Sequence, residues 1–393
     1  MWRRVKSAKI GHVGRCPVKA LVVGGTGPTG PLIVEGLHKR GYAVTILHTG
    51  KHEVEFQFPV KHLHGPIHFL DALSGILERE TFDLVVGMYG RLRYVAQAIT
   101  GKTPRFIAAG GMPYETFVSG NDDGAPVPVP VREDAPLFRD KKKNNFTYLM
   151  TVSEETVMKA HSEGKYTATI LRFPMIYGPR QVAPREWCVL RRILDGRSRL
   201  IVPDGGLKLE RRGYIENVAH AVFLTVDKPS ESSGRIYNVG DDALFSLRDW
   251  IELIAAHFDY RLEMINMPFE IARPSRPYAG RYFHWVPDIE RIKDELGYTD
   301  QVSPEEGLKR TLAWYMENRP GKGGELEIAL GDAFDYDLED RLITRYERLV
   351  AELRQDFPST YRFQHAYDHP KEREESTKPD LARHGKREAR KKT

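Results

Sequence analysis

The sequence predicts an α/β fold in which helices cover both faces of a parallel sheet. Two observations carry this prediction. Short apolar runs alternate with helical stretches between residues 18 and 172, as is typical of parallel strands joined by helical crossovers. The first apolar run also leads directly into a glycine turn that opens a helix, within residues 18–39. Together they indicate a doubly wound sheet.

The predicted elements follow one another closely in the first half of the chain. We expect strands at residues 18–23, 43–47, 61–63, 83–86, 105–109 and 167–172, with helices at 31–39, 72–79, 91–100 and 148–161. Residues 119–143 break this rhythm with glycine, Asn, Asp, four prolines and a lysine run, so they are predicted to form a long surface loop.

After Arg180 the pattern becomes irregular, as in the substrate side of doubly wound enzymes. Helices are predicted at 186–194, 218–226, 247–258 and 338–354, the last with an apolar stripe that should dock on its own domain or on a partner subunit. We expect a flexible N-terminus at 1–17, a nucleotide-binding domain at 18–180 completed by parts of 215–245, a substrate region at 181–319, a helical extension at 320–362 and a disordered basic tail at 363–393.

The glycine turn indicates what the sheet binds. Gly24, Gly27 and Gly30 are spaced three residues apart between a strand and a helix. A diphosphate needs bare backbone N–H groups and the positive end of a helix dipole, and glycines let the chain approach closely enough. The turn therefore predicts a dinucleotide site. The alternative is a glycine turn that serves only tight packing.

Composition narrows the class of protein. The chain has 393 residues, 41% of them hydrophobic, and a net charge of +5, with much of its basic excess in residues 383–392. Cys16 and Cys188 form no metal or redox pattern, and we expect a cytoplasmic protein without a membrane span. The basic tail is interpreted as a solvated end, or alternatively as an electrostatic contact for nucleic acid or membrane.

Several ordered segments resemble the extended short-chain dehydrogenase/reductase family, which includes nucleotide-sugar epimerases and dehydratases. They are residues 24–30, 171–181, 212–221, 236–240, 294–298 and 303–307. The resemblance implies a Rossmann-type domain with a small C-terminal substrate domain. It also implies a homodimer formed through the helices at 91–100 and 148–161.

The catalytic residues depart from that family. Its members use a tyrosine, a lysine four residues later and an upstream serine or threonine. The match places Tyr148 at the tyrosine, Val152 at the lysine and Gly110 at the hydroxyl position. We predict Tyr148 as the proton donor, or alternatively as a buried aromatic residue. A neutral tyrosine can still donate a proton, so carbonyl reduction tolerates the loss of the lysine better than alcohol oxidation does. Thr147, Thr151 and Tyr114 are candidates to replace the missing serine or threonine hydroxyl. The lysines at 141–143 are candidates to replace the cation of the missing lysine.

The cofactor prediction favours NADP over NAD. An NAD site normally ends its second strand with an acid, but residues 47–52 carry no carboxylate. Thr49, Lys51 and His52 are the candidates for contact with a 2′-phosphate, and His48 belongs to the same predicted cofactor segment. By the resemblance, the complete predicted cofactor set is Gly24, Thr26, Gly27, Pro28, Thr29, Gly30, His48, Thr49, Lys51, Gly87, Met88, Tyr89, Ala108, Pro174 and Ile176.

The predicted substrate-binding residues are Gly110, Met175, Tyr177, Arg180 and Arg212. Arg212 matches an arginine that binds the substrate diphosphate in sugar-nucleotide members, although Met175 replaces their asparagine. Arg212 can equally form a structural ion pair. His62, His64 and His68 lie close together, but without a carboxylate or cysteine partner they predict no metal site. An arm at 365–370 is a further candidate for covering a neighbouring subunit's cleft.

These observations lead to three expectations of function. The first is an NADP-dependent oxidoreductase that acts on a carbonyl or hydroxyl group of a small molecule. The second is a nucleotide-sugar epimerase or dehydratase. The third is a nucleotide-binding protein without redox turnover, acting as a cofactor sensor or in association with RNA.

Overall fold

The structure is a computed structural model that describes residues 18–88, 91–119, 128–272 and 283–358. Tyr89, Cys16, the basic tail and the arm at 365–370 lie outside the described residues.

Thirteen strands are found in the described part of the chain. They are β1 Lys19–Val23, β2 Ala43–His48, β3 Lys61–His64, β4 Leu84–Met88, β5 Arg105–Gly110, β6 Thr167–Arg172, β7 Met175–Tyr177, β8 Arg199–Pro203, β9 Leu209–Glu210, β10 Arg212–Tyr214, β11 Arg235–Asn238, β12 Phe245–Ser246 and β13 Glu263–Met267.

Twelve α-helices accompany them in the same ranges. They are α1 Gly30–Lys39, α2 Leu70–Ile76, α3 Leu92–Ala98, α4 Thr116–Ser119, α5 Asn145–Ser162, α6 Arg185–Leu194, α7 Ile215–Asp227, α8 Leu247–His257, α9 Glu290–Leu296, α10 Pro304–Glu317, α11 Glu325–Leu330 and α12 Tyr336–Asp356.

Seven strands form the central sheet in the order β11-β6-β5-β4-β1-β2-β3. Every pairing in this sheet is parallel. The predicted doubly wound sheet is therefore confirmed. Residues 235–238 complete one edge, as the sequence indicated for 215–245.

Alternate residues of the strands bury against helices on opposite faces. On one face, Val22 and Ile46 belong to a core with residues of α1 and α7. On the other face, Leu21 and Leu47 belong to a core with residues of α2, α3 and α5. Since side chains alternate along a strand, both faces of the sheet are covered.

Helix α5 begins three residues earlier than predicted. The Asn144 side chain accepts a hydrogen bond from the Thr147 backbone N–H, 3.0 Å away, and so caps the first turn. Asn145 and Phe146 are therefore helical. The earlier start adds Phe146 to the helix face that carries Met150 and Glu154 in the next turns.

The prediction of a surface loop at 119–143 is wrong for the middle of that segment. Val131 and Phe138 are buried, and the Val131 N–H donates to the Val286 carbonyl at 2.8 Å. Glu133 is also buried, where its carboxylate accepts from the Asn238 N–H. Proline and charge content predict exposure only when the polar groups lack partners within the fold, and here Glu133 has them.

Residues 320–339 contact α6 through buried ion pairs. Arg192 donates to Asp332 at 2.7 Å and also pairs with Glu339. Arg191 and Trp187 both donate to Glu327. The chain divides into two compact units, residues 1–339 and 340–393, so the segment after residue 320 belongs to the larger unit as far as Glu339.

A search of the described helices finds none with the length and apolar character needed to span a bilayer.

Removing the Glu154 carboxylate is expected to destabilise the fold. Arg172 and Glu154 form a bidentate pair whose side chains are 1% and 7% exposed. Glu154→Ala leaves the guanidinium buried without its counter-ion, which costs about 3–5 kcal/mol of unfolding free energy. Urea denaturation would measure this loss. The control is Lys159→Ala on the same helix, which removes an exposed pair and should have little effect. Equal stability of the two variants would contradict this account of the pair.

Candidate functional site

The glycine turn lies between β1 and α1, at the carboxyl edge of the sheet. Gly24 has φ of +89°, a backbone conformation that favours glycine, and a Cβ there would lie 2.9 Å from the Met88 carbonyl oxygen. A Cβ on Gly30 would lie only 2.4 Å from the Gly25 backbone. The chain is thus folded tightly against itself where α1 begins, leaving a backbone cradle of the kind a diphosphate occupies.

The ends of neighbouring strands meet beside this cradle. Thr29 is the buried residue that precedes α1, and its hydroxyl donates to the Met88 sulfur at the end of β4, 3.5 Å away. Because parallel strands end at one edge, the structure places Gly87 and Ala108 there as well. The predicted cofactor residues at the ends of β1, β4 and β5 therefore lie at one edge of the sheet, as far as the structure describes them.

The end of β2 is more buried than the sequence suggested. His48 is 3% exposed, and its Nδ1 accepts from the Gly50 backbone N–H at 3.2 Å. Burial lowers the pKa of His48, against the opposing influence of Glu53. Thr49 and Lys51 are exposed. The three predicted phosphate contacts, Thr49, Lys51 and His52, thus lie at the surface, whereas His48 does not.

A cavity of about 110 Å³ lies between β5 and α5. We call it the β5–α5 cavity. Its described lining is Leu92, Ala108, Gly110, Gly111, Phe146, Met150, Ser153, Glu154, Val157 and Ile170. The Ser153 hydroxyl donates to the Leu149 carbonyl and the Glu154 carboxylate is held by Arg172. The cavity is therefore apolar apart from groups that already have partners.

The side of α5 that faces this cavity carries Phe146 and Met150. They are four residues apart and precede Glu154 by eight and four residues, which gives the three positions one helix face. A Cβ on Gly111 would lie 2.9 Å from the Met150 sulfur. Phe146 and Met150 were missed by sequence reasoning, although the cap signal at Asn144 and the spacing to Glu154 were visible there.

Tyr148 is half-buried and does not belong to the described lining of the β5–α5 cavity. A shift of two residues turns a side chain about 200° around a helix, so Tyr148 and Val152 lie away from the face of Phe146 and Met150. The structure thus brings Gly110 together with Phe146 and Met150. It does not bring Gly110 together with Tyr148 in that cavity.

The substitute hydroxyls are engaged elsewhere. Tyr114 is fully buried, donates to Asn238 at 2.7 Å and accepts from Arg172. Burial raises the pKa of Tyr114 to about 12. The Thr151 hydroxyl donates to the Phe138 carbonyl, and Thr147 is buried in the first turn of α5. The lysines at 141–143 are exposed.

Three of the five predicted substrate residues, Met175, Tyr177 and Arg212, line a second, tighter pocket between β7 and β10, whereas Gly110 lines the β5–α5 cavity and Arg180 belongs to the described lining of neither. This second pocket is lined by Met175, Ile176, Tyr177, Arg185, Glu186, Glu210, Arg212 and Trp250. Its enclosed space is about 10 Å³, roughly the room that one water molecule needs. A larger molecule enters only if side chains move.

Arg212 forms the structural ion pair that the sequence left as an alternative. It donates to Glu210 at 2.9 Å and lies 4.6 Å from the centre of the Trp250 ring. An anionic group at Arg212 would have to compete with Glu210.

The remaining predicted residues of this region differ in exposure. Arg180 is exposed, with φ of +63°, and Pro174 and Ile176 are half-buried.

A cluster of histidines joins the end of β2 to β3. The expectation that His62 and His64 lack a carboxylate partner is wrong, because Glu53 lies 3.3 Å from His62 Nδ1 and 3.0 Å from His64 Nε2. His48 completes the cluster, and His68 does not belong to it. Sequence reasoning missed Glu53 because a loop residue nine positions before His62 reaches the strand only after folding.

Known proteins are similar to this chain in sequence and in fold. The model of the NAD dependent epimerase/dehydratase family matches residues 119–240. A UDP-N-acetyl-alpha-D-glucosaminuronate decarboxylase from Bacillus cytotoxicus is 24% identical over 333 residues, covering 76% of this chain and 98% of that protein. Over residues 119–240 the chain is thus similar to the NAD dependent epimerase/dehydratase family.

Further proteins are similar to this chain over shorter stretches or in fold. A dTDP-glucose 4,6-dehydratase from Streptomyces antibioticus is 27% identical over 145 residues, 36% of this chain and 40% of the dehydratase. Among solved structures, UDP-glucose 4-epimerase from Thermotoga maritima has a TM-score of 0.64 at 18% identity, covering 77% of this chain and all of that one. At this identity the likeness shows the fold alone.

Closing the glycine cradle is expected to weaken nucleotide binding. A methyl group at Gly30 would collide with the Gly25 backbone and push the turn away from α1. We expect Gly30→Ala to weaken binding of a nicotinamide nucleotide by at least about tenfold, a loss of about 1.4 kcal/mol. Calorimetric titration would measure it. The control is Gly75→Ala in α2, where an added Cβ meets nothing within 4 Å. Unchanged affinity in Gly30→Ala would show that the turn serves packing only.

Proposed function

We propose that this chain is a pyridine-nucleotide-dependent enzyme of the epimerase/dehydratase type that acts on a carbonyl or hydroxyl group of a small molecule. The observation that carries the proposal is the Gly24–Gly30 cradle at the carboxyl edge of a parallel sheet, where a Cβ at either end would collide with backbone. A bound nucleotide would supply the hydride to a carbonyl group or accept it from a hydroxyl-bearing carbon, while the chain holds its diphosphate and positions the substrate.

Nucleotide sugars are the substrate class we favour. The decarboxylase from Bacillus cytotoxicus and the dehydratase from Streptomyces antibioticus are named for nucleotide-sugar substrates. In this chain, Arg212 and Arg185 line the β7–β10 pocket. Both supply the positive charge that a diphosphate requires, once Glu210 is displaced from Arg212.

The test begins with the purified wild-type chain. Bound nucleotide would be released by denaturation and identified, and the protein would then be incubated with UDP- and dTDP-sugars and with simple ketones. Absorbance of the reduced nicotinamide reports net redox turnover, and chromatography of the sugars reports epimerisation or dehydration. Bound nucleotide with turnover supports the proposal. A chain that binds no nicotinamide nucleotide contradicts it.

Tyr148 is the proposed proton donor, and its half-buried position keeps it accessible. If it donates in the reaction, Tyr148→Phe should lower kcat by about 10²- to 10⁴-fold while nucleotide affinity stays the same. The control is Tyr94→Phe, which removes a hydroxyl from another half-buried tyrosine on α3. Full activity in Tyr148→Phe would remove Tyr148 from the chemistry without affecting the assignment of the nucleotide site.

The cofactor preference we propose is NADP over NAD. Thr49 and Lys51 are exposed just after β2, and residues 47–52 contain no carboxylate. The dTDP-glucose 4,6-dehydratase structure from Streptomyces venezuelae, with a TM-score of 0.60, contains NAD, so this preference would distinguish the chain from that protein.

Lys51→Ala is expected to weaken NADP binding by about tenfold and leave NAD binding unchanged, because only NADP carries a phosphate for the ammonium group to contact. Lys19→Ala, at the amino end of β1, is the control. Calorimetry with both nucleotides would measure the difference. An equal change for NAD and NADP would overturn the preference.

A second candidate, nucleotide binding without redox turnover, is favoured by the β5–α5 cavity. Gly110, Phe146 and Met150 line it and bring neither a hydroxyl nor an amine. A carbonyl placed there would meet apolar side chains. Nucleotide binding without turnover on any substrate in the same assays would select this candidate, which includes the cofactor-sensor expectation.

A further inference from the structure

The histidine cluster at the edge of the sheet has the composition of a metal site. It contains Glu53, His62, His64 and His48, and one potential ligand atom from each lies within 4.8 Å of all the others. Nitrogen ligands from imidazole with one carboxylate are a donor set that divalent zinc takes in proteins.

The sheet geometry explains why these side chains meet. His62 and His64 are two residues apart on β3, so they lie on the same face. The parallel register pairs His64 with His48, which gives His48 that face as well. The ring centres of His48 and His64 are 4.6 Å apart, and those of His62 and His64 are 6.0 Å apart. Glu53 reaches them from the loop after β2.

The distances match a metal polyhedron. For bonds of about 2.0–2.1 Å, two ligand atoms of a tetrahedral zinc site lie about 3.3 Å apart. Glu53 lies 3.3 Å from His62 Nδ1 and 3.0 Å from His64 Nε2 through its two oxygens. His48 Nε2 lies 3.3 Å from His62 Nδ1.

Hydrogen bonds alone leave this cluster unsatisfied. Because His48 Nδ1 accepts from the Gly50 N–H, the neutral ring carries its proton on Nε2 and points it at His62 Nδ1. If His62 Nδ1 accepts that hydrogen bond, its single lone pair is used and it has no proton for the Glu53 carboxylate 3.3 Å away. If it instead carries a proton for Glu53, two N–H groups face each other. A cation bound to the His62 Nδ1 lone pair and to Glu53 removes the conflict, and the His48 Nε2–H then has the Glu53 carboxylate as its acceptor, with Oε2 3.8 Å away.

We propose that Glu53, His62 and His64 bind a divalent transition-metal ion of the zinc type. His48 is a positioning residue, because its Nε2–H is directed toward the ligands and its Nδ1 is fixed by the backbone. Glu53 and His62 also line an open groove of about 470 Å³ with Val54, Glu55, Phe56, Phe58 and Val60. The fourth coordination position therefore faces solvent, where a water molecule can complete the site.

The test uses the full chain without an affinity tag, stripped of metal, and titrated with Co²⁺ as a spectroscopic probe. We expect one strongly absorbing tetrahedral Co²⁺ per chain, displaced by Zn²⁺. His62→Ala and His64→Ala should each weaken binding by more than about 100-fold, and His48→Ala by about 10- to 100-fold. The control is His257→Ala, an exposed histidine at the end of α8.

Two further measurements keep the result interpretable. Melting curves of the metal-free variants report whether each is folded, and Zn²⁺ should raise the melting temperature of the wild type but not of His62→Ala or His64→Ala. Absence of saturable Co²⁺ binding by the wild type would overturn the proposal. Binding that persists unchanged in both His62→Ala and His64→Ala would overturn it as well.

Discussion

The buried guanidinium of Arg172 fixes the geometry on which the rest of the site depends. It donates twice to Glu154, at 2.9 and 2.7 Å, and also to the Tyr114 hydroxyl and the Glu133 carbonyl. Burial disfavours its charge, but the pairing with Glu154 outweighs this and raises the pKa of Arg172. One side chain thereby joins the end of β6, helix α5 and two loops. Because Glu154 is held, the rotation of α5 is set, and Phe146 and Met150 rather than Tyr148 face the end of β5.

The elements that depend on local signals were predictable from the sequence. Glycine spacing located the turn at Gly24, and alternating apolar runs located the parallel strands, because both signals act within a few residues. The face of α5 was not predictable in this way, because it depends on a pair between residues 154 and 172 in different elements. The same holds for Glu53 and for Glu133, whose partners are distant in the chain or reached through a loop. Local patterns fix which elements form, whereas ion pairs between elements fix which side chains meet.

The site consists of two parts with different requirements. Its nucleotide cradle is made of backbone, so it depends on the absence of side chains at Gly24 and Gly30 and tolerates change elsewhere. The part that would contact the reacting atoms depends on particular side chains. In this part, the β5–α5 cavity offers an apolar surface. A chain of this fold can therefore keep its backbone cradle while the side chains around the reacting atoms change.

The two outermost strands of the sheet, β3 and β11, are also its shortest. Each has four residues, whereas the inner strands have five or six. Both begin with a cation, Lys61 and Arg235, and these cations lie near Glu80 and Glu295. Short, charged edges are poor templates for a further strand, so the sheet resists growth by addition of another chain. Open-ended aggregation along the sheet edges is thus disfavoured.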